Sequence, residues 1–205
     1  CIVEQEVLAV GHTIYGWRQV PVDIHSLGEK ANATRPEIEQ IMFSMPTDME
    51  EEDAERQLYV VRRRVEKAVL AELITDFYIC SMSSRSIIYK GMFLAEQVTA
   101  FFPYLLDKRF TSSFAIYHQR YSTNTMPTWK LAQPFRVLAH NGEINTIRGN
   151  QNWMTCHEDR MASDLFGNAV EELKPVVAKG SSDSAALDAV FELMGHGGRT
   201  LPMVK

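Results

Sequence analysis

Apolar residues recur three or four positions apart in the longest patterned stretch of the chain, at Leu58, Val61, Val65 and Val69. This spacing predicts a helix with one buried face. Acidic residues crowd positions 48–55 and basic residues follow, an order that the helix dipole favours. The basic run at residues 62–67 is therefore interpreted as the solvated face of this helix.

Five shorter helices are predicted from apolar spacing, caps and prolines. Gly11 can close the first, Pro36 ends the second and Pro103 breaks the third. The fourth is expected to be capped around Asn145, and the fifth by Ser182 or Asp183. Their predicted spans are residues 2–10, 26–34, 93–106, 146–163 and 184–194.

Strands are predicted where β-branched and aromatic residues cluster between turn residues. They span residues 13–22, 38–45, 77–82, 86–90, 113–119 and 135–140. Strand pairs that alternate with helices favour an α+β layered fold, and 205 residues suit one domain.

The first candidate for chemistry is the polar phrase HQRYSTNT at residues 118–125, which follows a predicted strand. An arginine that leaves a buried strand is costly unless it meets an anion, and its planar guanidinium binds a carboxylate through two hydrogen bonds. Arg120 is thus a candidate for holding an α-carboxylate. An internal salt bridge is the alternative.

The second candidate is the phrase HNGEINT at residues 140–146. Asn-Gly between two apolar runs is the strongest short signal of a β-hairpin, and taken alone it favours that interpretation. An asparagine amide beside a glycine N–H also offers two hydrogen-bond donors at a fixed spacing, as a tetrahedral oxyanion requires. Asn141 and Gly142 are therefore candidates for an oxyanion hole.

The third candidate is Asp183 in the phrase GSSDSAALD at residues 180–188. Its simplest role is a helix N-cap, worth about 1 kcal/mol. Its functional alternative is to bind a ligand ammonium group. Together, a carboxylate binder, an oxyanion donor pair and an ammonium binder describe a site for a free amino acid whose side-chain carbonyl is attacked.

Composition and charge narrow the class of protein. A hydrophobic fraction of 45%, a charged fraction of 23% and a net charge of -5 are typical of a soluble globular protein and argue against a nucleic-acid partner. No apolar run reaches the roughly 20 residues that span a membrane, so a cytoplasmic location is expected. The cysteines Cys1, Cys80 and Cys156 form no Cys-x-x-Cys pair, and neither a disulfide framework nor a metal site is expected.

The three polar clusters resemble the type 2 glutamine amidotransferases of the N-terminal-nucleophile class. That family shares, in this order, a His-x-Arg-(Tyr/Phe/Trp) element, an Asn-Gly pair and a Ser-Asp-(Ser/Thr) element. Longer phrases, including GWRQVPV, HQRYSTNTMPTW and LAQPFRVLAHNGEINTIRGNQNWM, are similar to the glutamate synthase large subunits. The resemblance extends along nearly the whole chain.

The resemblance implies roles for individual residues. Arg120 would bind the α-carboxylate of L-glutamine with Thr123 nearby, and Asp183 would bind the α-ammonium group. Asn141, through its side chain, and Gly142, through its backbone N–H, would form the oxyanion hole. The implied fold is a four-layer αββα sandwich, incomplete because its N-terminal strands are missing, across residues 1–205.

The family's nucleophile is an N-terminal cysteine followed by a glycine-rich strand. Cys1 is instead followed by Ile-Val-Glu-Gln-Glu-Val-Leu, a helical pattern, so Cys1 is not expected to be that nucleophile. We therefore expect these 205 residues to be an internal segment of a longer polypeptide and to be inactive by themselves.

The resemblance further implies flavin mononucleotide (FMN) and an iron–sulfur cluster in domains beyond Lys205, where ammonia would convert 2-oxoglutarate to glutamate. Expected partners are the remaining domains of the same polypeptide and either a small NADPH-oxidising subunit or ferredoxin. Two alternatives stay open: another type 2 glutamine amidotransferase, and a non-catalytic glutamine-binding domain.

Overall fold

The computed structural model of the protein describes residues 1–119 and 126–204. Two strands are assigned there, β1 (Ile14–Gln19) and β2 (Glu39–Phe43). Short 3-10 helices span Ile24–Ser26, Ala95–Gln97, Pro103–Leu106 and Gly167–Leu173. The α-helices are α1 (Ile2–Ala9), α2 (Glu29–Ala33), α3 (Glu51–Ala71), α4 (Val98–Phe101), α5 (Ile147–Glu158), α6 (Asp183–His196) and α7 (Leu201–Val204). None of these helices is both long and apolar enough to cross a membrane.

The strands β1 and β2 pair as an antiparallel ribbon, which confirms the first two predicted strands. Trp17 lies opposite Ile41, and the register shifts between Ile14 and Gly16. Gly16 has a φ of 146°, a conformation that glycine adopts at low cost, so the bulge falls where the chain can accept it.

Helix α3 is the central element of the core. Its buried Val61 and Val65 pack against Val3 and Val7 of α1. On another side, Tyr59 joins a second apolar cluster with Leu173 and with Leu193 of α6. The predicted apolar face of residues 58–69 is therefore confirmed, and α3 connects the N-terminal and C-terminal parts of the chain. A third cluster contains Val20, Phe101, Phe102 and Trp129.

The prediction that the basic run of α3 is solvated was wrong. Arg62 is only 2% exposed and forms ion pairs with Glu66 and with Glu192 of α6. Arg63 donates to Glu66 and to the backbone carbonyls of Leu173 and Pro175. Arg62 and Arg63 face inward because α3 is covered on that side and their charges find partners there, whereas the Lys67 side chain is 40% exposed.

The other predicted strands do not form sheet ladders. Residues 77–82, 86–90, 113–119 and 135–140 are not assigned as strands, and only β1 and β2 pair among the described residues. A strand is completed by a ladder of backbone hydrogen bonds to a neighbour, and no such ladder is assigned to these segments in that part of the chain. The structure therefore supports helices with one small sheet, and the four-layer αββα sandwich is not seen in it.

Helix predictions were mostly right in position and less so in extent. The first predicted helix is α1 and the fifth is α6, whereas residues 26–34 contain only the short α2. The segment at residues 93–106 divides into α4 and two 3-10 helices. Helix α5 begins at Ile147 but ends at Glu158, and its N-cap is Thr146 with a φ of 61°, not Asn145.

Candidate functional site

The N-terminus of α6 positions the third candidate residue. Ser182 is fully buried and its hydroxyl accepts a hydrogen bond from Ala185 N at 3.1 Å, so Ser182 is the cap that the sequence allowed. Asp183 is therefore the first residue of the helix. Its carboxylate is 5% exposed and accepts from Ser184 N at 2.6 Å.

Asp183 also binds the second candidate segment. Its Oδ2 accepts from Ile144 N at 3.1 Å, two residues after Gly142. Gly142 and Asp183 are 41 residues apart in sequence. This hydrogen bond brings the Asn-Gly pair and the Asp183 carboxylate to one region of the structure. Asn141 and Gly142 are exposed there, while Asp183 is buried beneath.

His140 organises the loop that carries Asn141 and Gly142. Gln133 accepts from His140 N at 3.1 Å and donates to His140 O at 3.2 Å. Gly142 N donates to His140 Nδ1 at 3.0 Å. A substrate oxyanion would have to share or replace that imidazole as the partner of the Gly142 N–H.

The first candidate cluster reaches the same loop through His118, whose Nε2 lies 2.8 Å from His140 O. Arg120 and Thr123 lie outside the described residues, so their roles stay predictions. His118 nevertheless precedes Arg120 by only two positions. The structure therefore joins the flank of the first cluster to the second, and the second to the third.

The hairpin interpretation of Asn141 and Gly142 was wrong. A type I′ turn requires positive φ at both positions, and neither residue has it. The flanking residues 135–140 are not paired as a strand either. The loop is held by hydrogen bonds to the side chains of Gln133 and His140 and not by a β-sheet ladder.

Asp188 of α6 is a buried residue of the site region to which the sequence alone assigned no role. Its Oδ1 accepts from Val137 N at 2.9 Å and its Oδ2 from Arg136 N at 3.2 Å. The signal was an acid within the apolar stretch AALDAV of a predicted helix. A buried acid in such a stretch needs hydrogen-bond donors from elsewhere in the chain.

Buried charges surround these contacts. The Arg136 guanidinium binds Glu66 Oε1 at 3.2 Å and also donates to Ile79 O. Burial by itself raises the pKa of Glu66, but Arg62, Arg136 and Arg63 overcome that effect and hold the pKa at about 2. Burial, together with Glu192, raises the pKa of Asp188.

Lys90 lies near the same charges. Its Nζ donates to Lys130 O at 2.8 Å and lies over the rings of Tyr78 and Phe135, at 5.5 and 5.2 Å from their centres. Burial lowers the pKa of Lys90 to about 8. This lysine keeps its charge near neutral pH through a carbonyl and two aromatic faces.

Cys1 is the N-cap of α1. Glu4, in the first turn of that helix, accepts from Trp17 Nε1 at 2.8 Å. The helix that follows packs against α3 and β1.

The described residues do not fit an iron–sulfur cluster. Cluster irons are bound mainly by cysteine thiolates. Cys1, Cys80 and Cys156 are free, and no group of three or more His, Cys, Asp or Glu side chains in the described part of the chain is placed to hold a metal ion.

Comparison with known proteins agrees with the motifs. The family model of class-II glutamine amidotransferases matches residues 1–204. The chain is 65% identical over all 205 residues to the glutamate synthase [NADPH] large chain of Azospirillum brasilense, and it covers 14% of that protein. It is 42% identical over 200 residues, 97% of the chain, to ferredoxin-dependent glutamate synthase 1 of Arabidopsis thaliana and covers 12% of it. The chain thus spans about one seventh or less of these relatives.

Proposed function

This chain belongs to the class-II glutamine amidotransferases, and we propose that it is part of the glutaminase domain of a glutamate synthase large chain. The proposal rests on its similarity to two kinds of glutamate synthase, one named for NADPH and one for ferredoxin. The observation that carries it is the hydrogen bond between Ile144 N and Asp183 Oδ2, which brings two of the three family motifs together.

In this proposal one glutamine molecule bridges the three motifs. Arg120 binds the α-carboxylate with Thr123 nearby, and Asp183 binds the α-ammonium group. The buried position of Asp183 supports this, since a carboxylate with little solvent contact attracts a cation more strongly. The Asn141 amide and the Gly142 N–H bind the oxyanion that forms on the side-chain carbonyl.

The proposed reaction proceeds through a covalent intermediate. A cysteine thiolate attacks the glutamine amide carbon, the C–N bond breaks, and the nitrogen leaves with a proton as ammonia. Water then attacks the thioester, releases glutamate and returns the thiol. The ammonia serves to convert 2-oxoglutarate to glutamate elsewhere in the full-length protein.

The nucleophile of this reaction is proposed to lie outside these 205 residues. Cys1 lies at the N-cap of α1, and that helix packs against α3 and β1. This placement supports a structural role for Cys1. The 205 residues alone are therefore expected to hydrolyse no glutamine.

Exposed apolar side chains support a larger sheet in the complete domain. Phe114, Ile116 and Tyr117 are 76%, 67% and 78% exposed, in a segment that the sequence favours as a strand. Exposed apolar side chains that lie so close together are typical of a surface that other residues cover. We therefore propose that further residues of the same polypeptide complete the αββα sandwich.

FMN, the iron–sulfur cluster and the electron donor are proposed to bind other domains of that polypeptide. The donor is either a small NADPH-oxidising subunit or ferredoxin, since relatives of both names match. A cytoplasmic location is proposed on the 65% identity to the Azospirillum brasilense protein, since the Arabidopsis thaliana relative is named chloroplastic/mitochondrial.

A chimera tests the function. The 205 matching residues of the Azospirillum brasilense large chain are replaced by this sequence, and glutamine hydrolysis is measured. Arg120→Ala should raise the KM for glutamine severely, because losing the proposed bidentate contact with the α-carboxylate would cost about 2–5 kcal/mol. Asn141→Ala should lower kcat about 10²–10³-fold.

Exposed residues of the same types provide controls. Arg109 is on the surface beside Asp107, and Asn150 is on the exposed side of α5, so their alanine variants should keep parental kinetics. Wild-type saturation by glutamine in Arg120→Ala would contradict the role of Arg120. A chimera that binds glutamine but never hydrolyses it would favour a non-catalytic binding domain.

A further inference from the structure

Helix α6 holds the segment at residues 136–144 at two points. Near its N-terminus, Asp183 accepts from Ile144 N at 3.1 Å. In its middle, Asp188 accepts from Arg136 N at 3.2 Å and Val137 N at 2.9 Å. Helix α6 therefore forms hydrogen bonds with both ends of the loop that carries Asn141 and Gly142.

The hydrogen bonds at its two ends force the loop outward. Asp183 and Asp188 are five residues apart, which is about 7.5 Å along a helix axis. The residues from 137 to 144 could span more than about 20 Å if they were extended. Since their ends are tied to neighbouring positions on α6, residues 141–143 must bulge away, and they are exposed.

The two hydrogen bonds to Asp188 hold the backbone of the loop rigidly, because the Asp188 carboxylate is shielded from water. Asp188 is 2% exposed, and each of its two oxygens accepts one of two successive backbone N–H groups. A water molecule cannot easily replace a buried charged acceptor of this kind. The position of the loop is thereby fixed relative to α6.

We propose that Asp188 is a positioning residue that sets the distance between the oxyanion donors Asn141 and Gly142 and the ammonium binder Asp183. This inference rests on the proposed function and deepens it. Asp188 touches no substrate. It acts through the backbone of Arg136 and Val137, at the base of the loop.

Glu192 provides a matched control on the same helix. It is 7% exposed, comparable to Asp188, and it pairs with Arg62 Nη2 at 2.5 Å. Its hydrogen-bond partner lies on α3, and Glu192 acts on Arg136 and Asp188 through charge alone. Changing either acid removes one buried negative charge from the same network, but only Asp188 holds the loop.

The test uses the active chimera with Asp188→Asn and Glu192→Gln, assayed below the Tm of both variants. An asparagine keeps one acceptor but turns an NH₂ group toward a backbone N–H. Asp188→Asn should lower kcat/KM for glutamine at least about tenfold, since a misplacement of 1 Å can cost about 10²-fold. Glu192→Gln should stay within about twofold of the parent per folded molecule.

A second variant examines the same contact from the loop. Val137→Pro removes the N–H that Asp188 Oδ1 accepts and leaves every charge in place. It should reproduce the kinetic loss of Asp188→Asn. Amide hydrogen exchange of the chimera should show faster exchange at residues 136, 137 and 144 in Asp188→Asn, and no such change in Glu192→Gln.

Parental kinetics in Asp188→Asn or in Val137→Pro overturn the inference and leave the proposed function intact. Equal losses in Asp188→Asn and Glu192→Gln also overturn it, because a purely structural charge network would then explain both. An unmodified chimera without glutaminase activity overturns the proposed function itself.

Discussion

Replacing Glu66 with glutamine removes a carboxylate that three arginines share. Glu66 binds Arg62 at 2.7 Å, Arg63 at 2.6 Å and Arg136 at 3.2 Å. The pKa of Glu66 falls from 4.5 to about 2 in the folded chain, because these cations outweigh the burial that raises it. At 1.36 kcal/mol for each unit, the ionised carboxylate contributes on the order of 3 kcal/mol to the free energy of unfolding.

The sign of the pH dependence follows from the lowered pKa. The contribution of Glu66 is fully present above pH 4.5 and is lost as the pH falls from 4.5 towards 2. Asp188 acts in the opposite direction, because burial raises its pKa. The difference between wild type and Glu66→Gln therefore isolates the Glu66 term.

Urea unfolding of the 205-residue chain, followed by circular dichroism between pH 7 and pH 3, measures this difference. Glu66→Gln should be less stable by on the order of 3 kcal/mol at pH 7, and the gap should narrow below pH 4.5. Glu72→Gln, at the exposed end of α3, should change stability by no more than about 0.5 kcal/mol. A gap of the same size at pH 7 and pH 3 would refute the pairing of ionised Glu66 with the arginines.

Three further outcomes are expected from unfolding measurements on the same chain. Leu173→Ala, at a fully buried position, should cost about 2–5 kcal/mol, whereas Leu70→Ala, 62% exposed on α3, should cost much less. Ser182→Ala should cost about 1 kcal/mol through loss of the α6 cap, and an unchanged Tm would contradict that role. The pKa of Lys90 is about 8 in the folded chain and 10.5 in the unfolded chain, so the unfolded chain binds more protons between pH 8 and pH 10. The free energy of unfolding of the wild type, relative to that of Lys90→Met, should therefore rise over this pH range. A flat difference across those pH values would show that Lys90 is not buried.

The local elements of the fold follow from the sequence because short-range rules decide them. The spacing of Leu58, Val61 and Val65 predicted the buried face of α3, since helical period and burial are linked. Ser182 was one of two predicted caps of α6, because its hydroxyl can reach the N–H of Ala185 within one turn. The order of three motifs likewise indicated the family that the comparison shows.

Tertiary structure alone decided where long-range partners lie. The burial of Arg62 depends on Glu192, 130 residues away, and no local pattern contains that pairing. The predicted strands at residues 77–82 and 113–119 formed no sheet ladder among the described residues, because a strand is completed by a neighbouring strand and not by its own side chains. In the same way Asp188 gained a role only when α6 came to lie beside the backbone of Arg136 and Val137. Sequence periodicity reports the environment of one element, whereas buried charges and sheet ladders are satisfied by the element opposite.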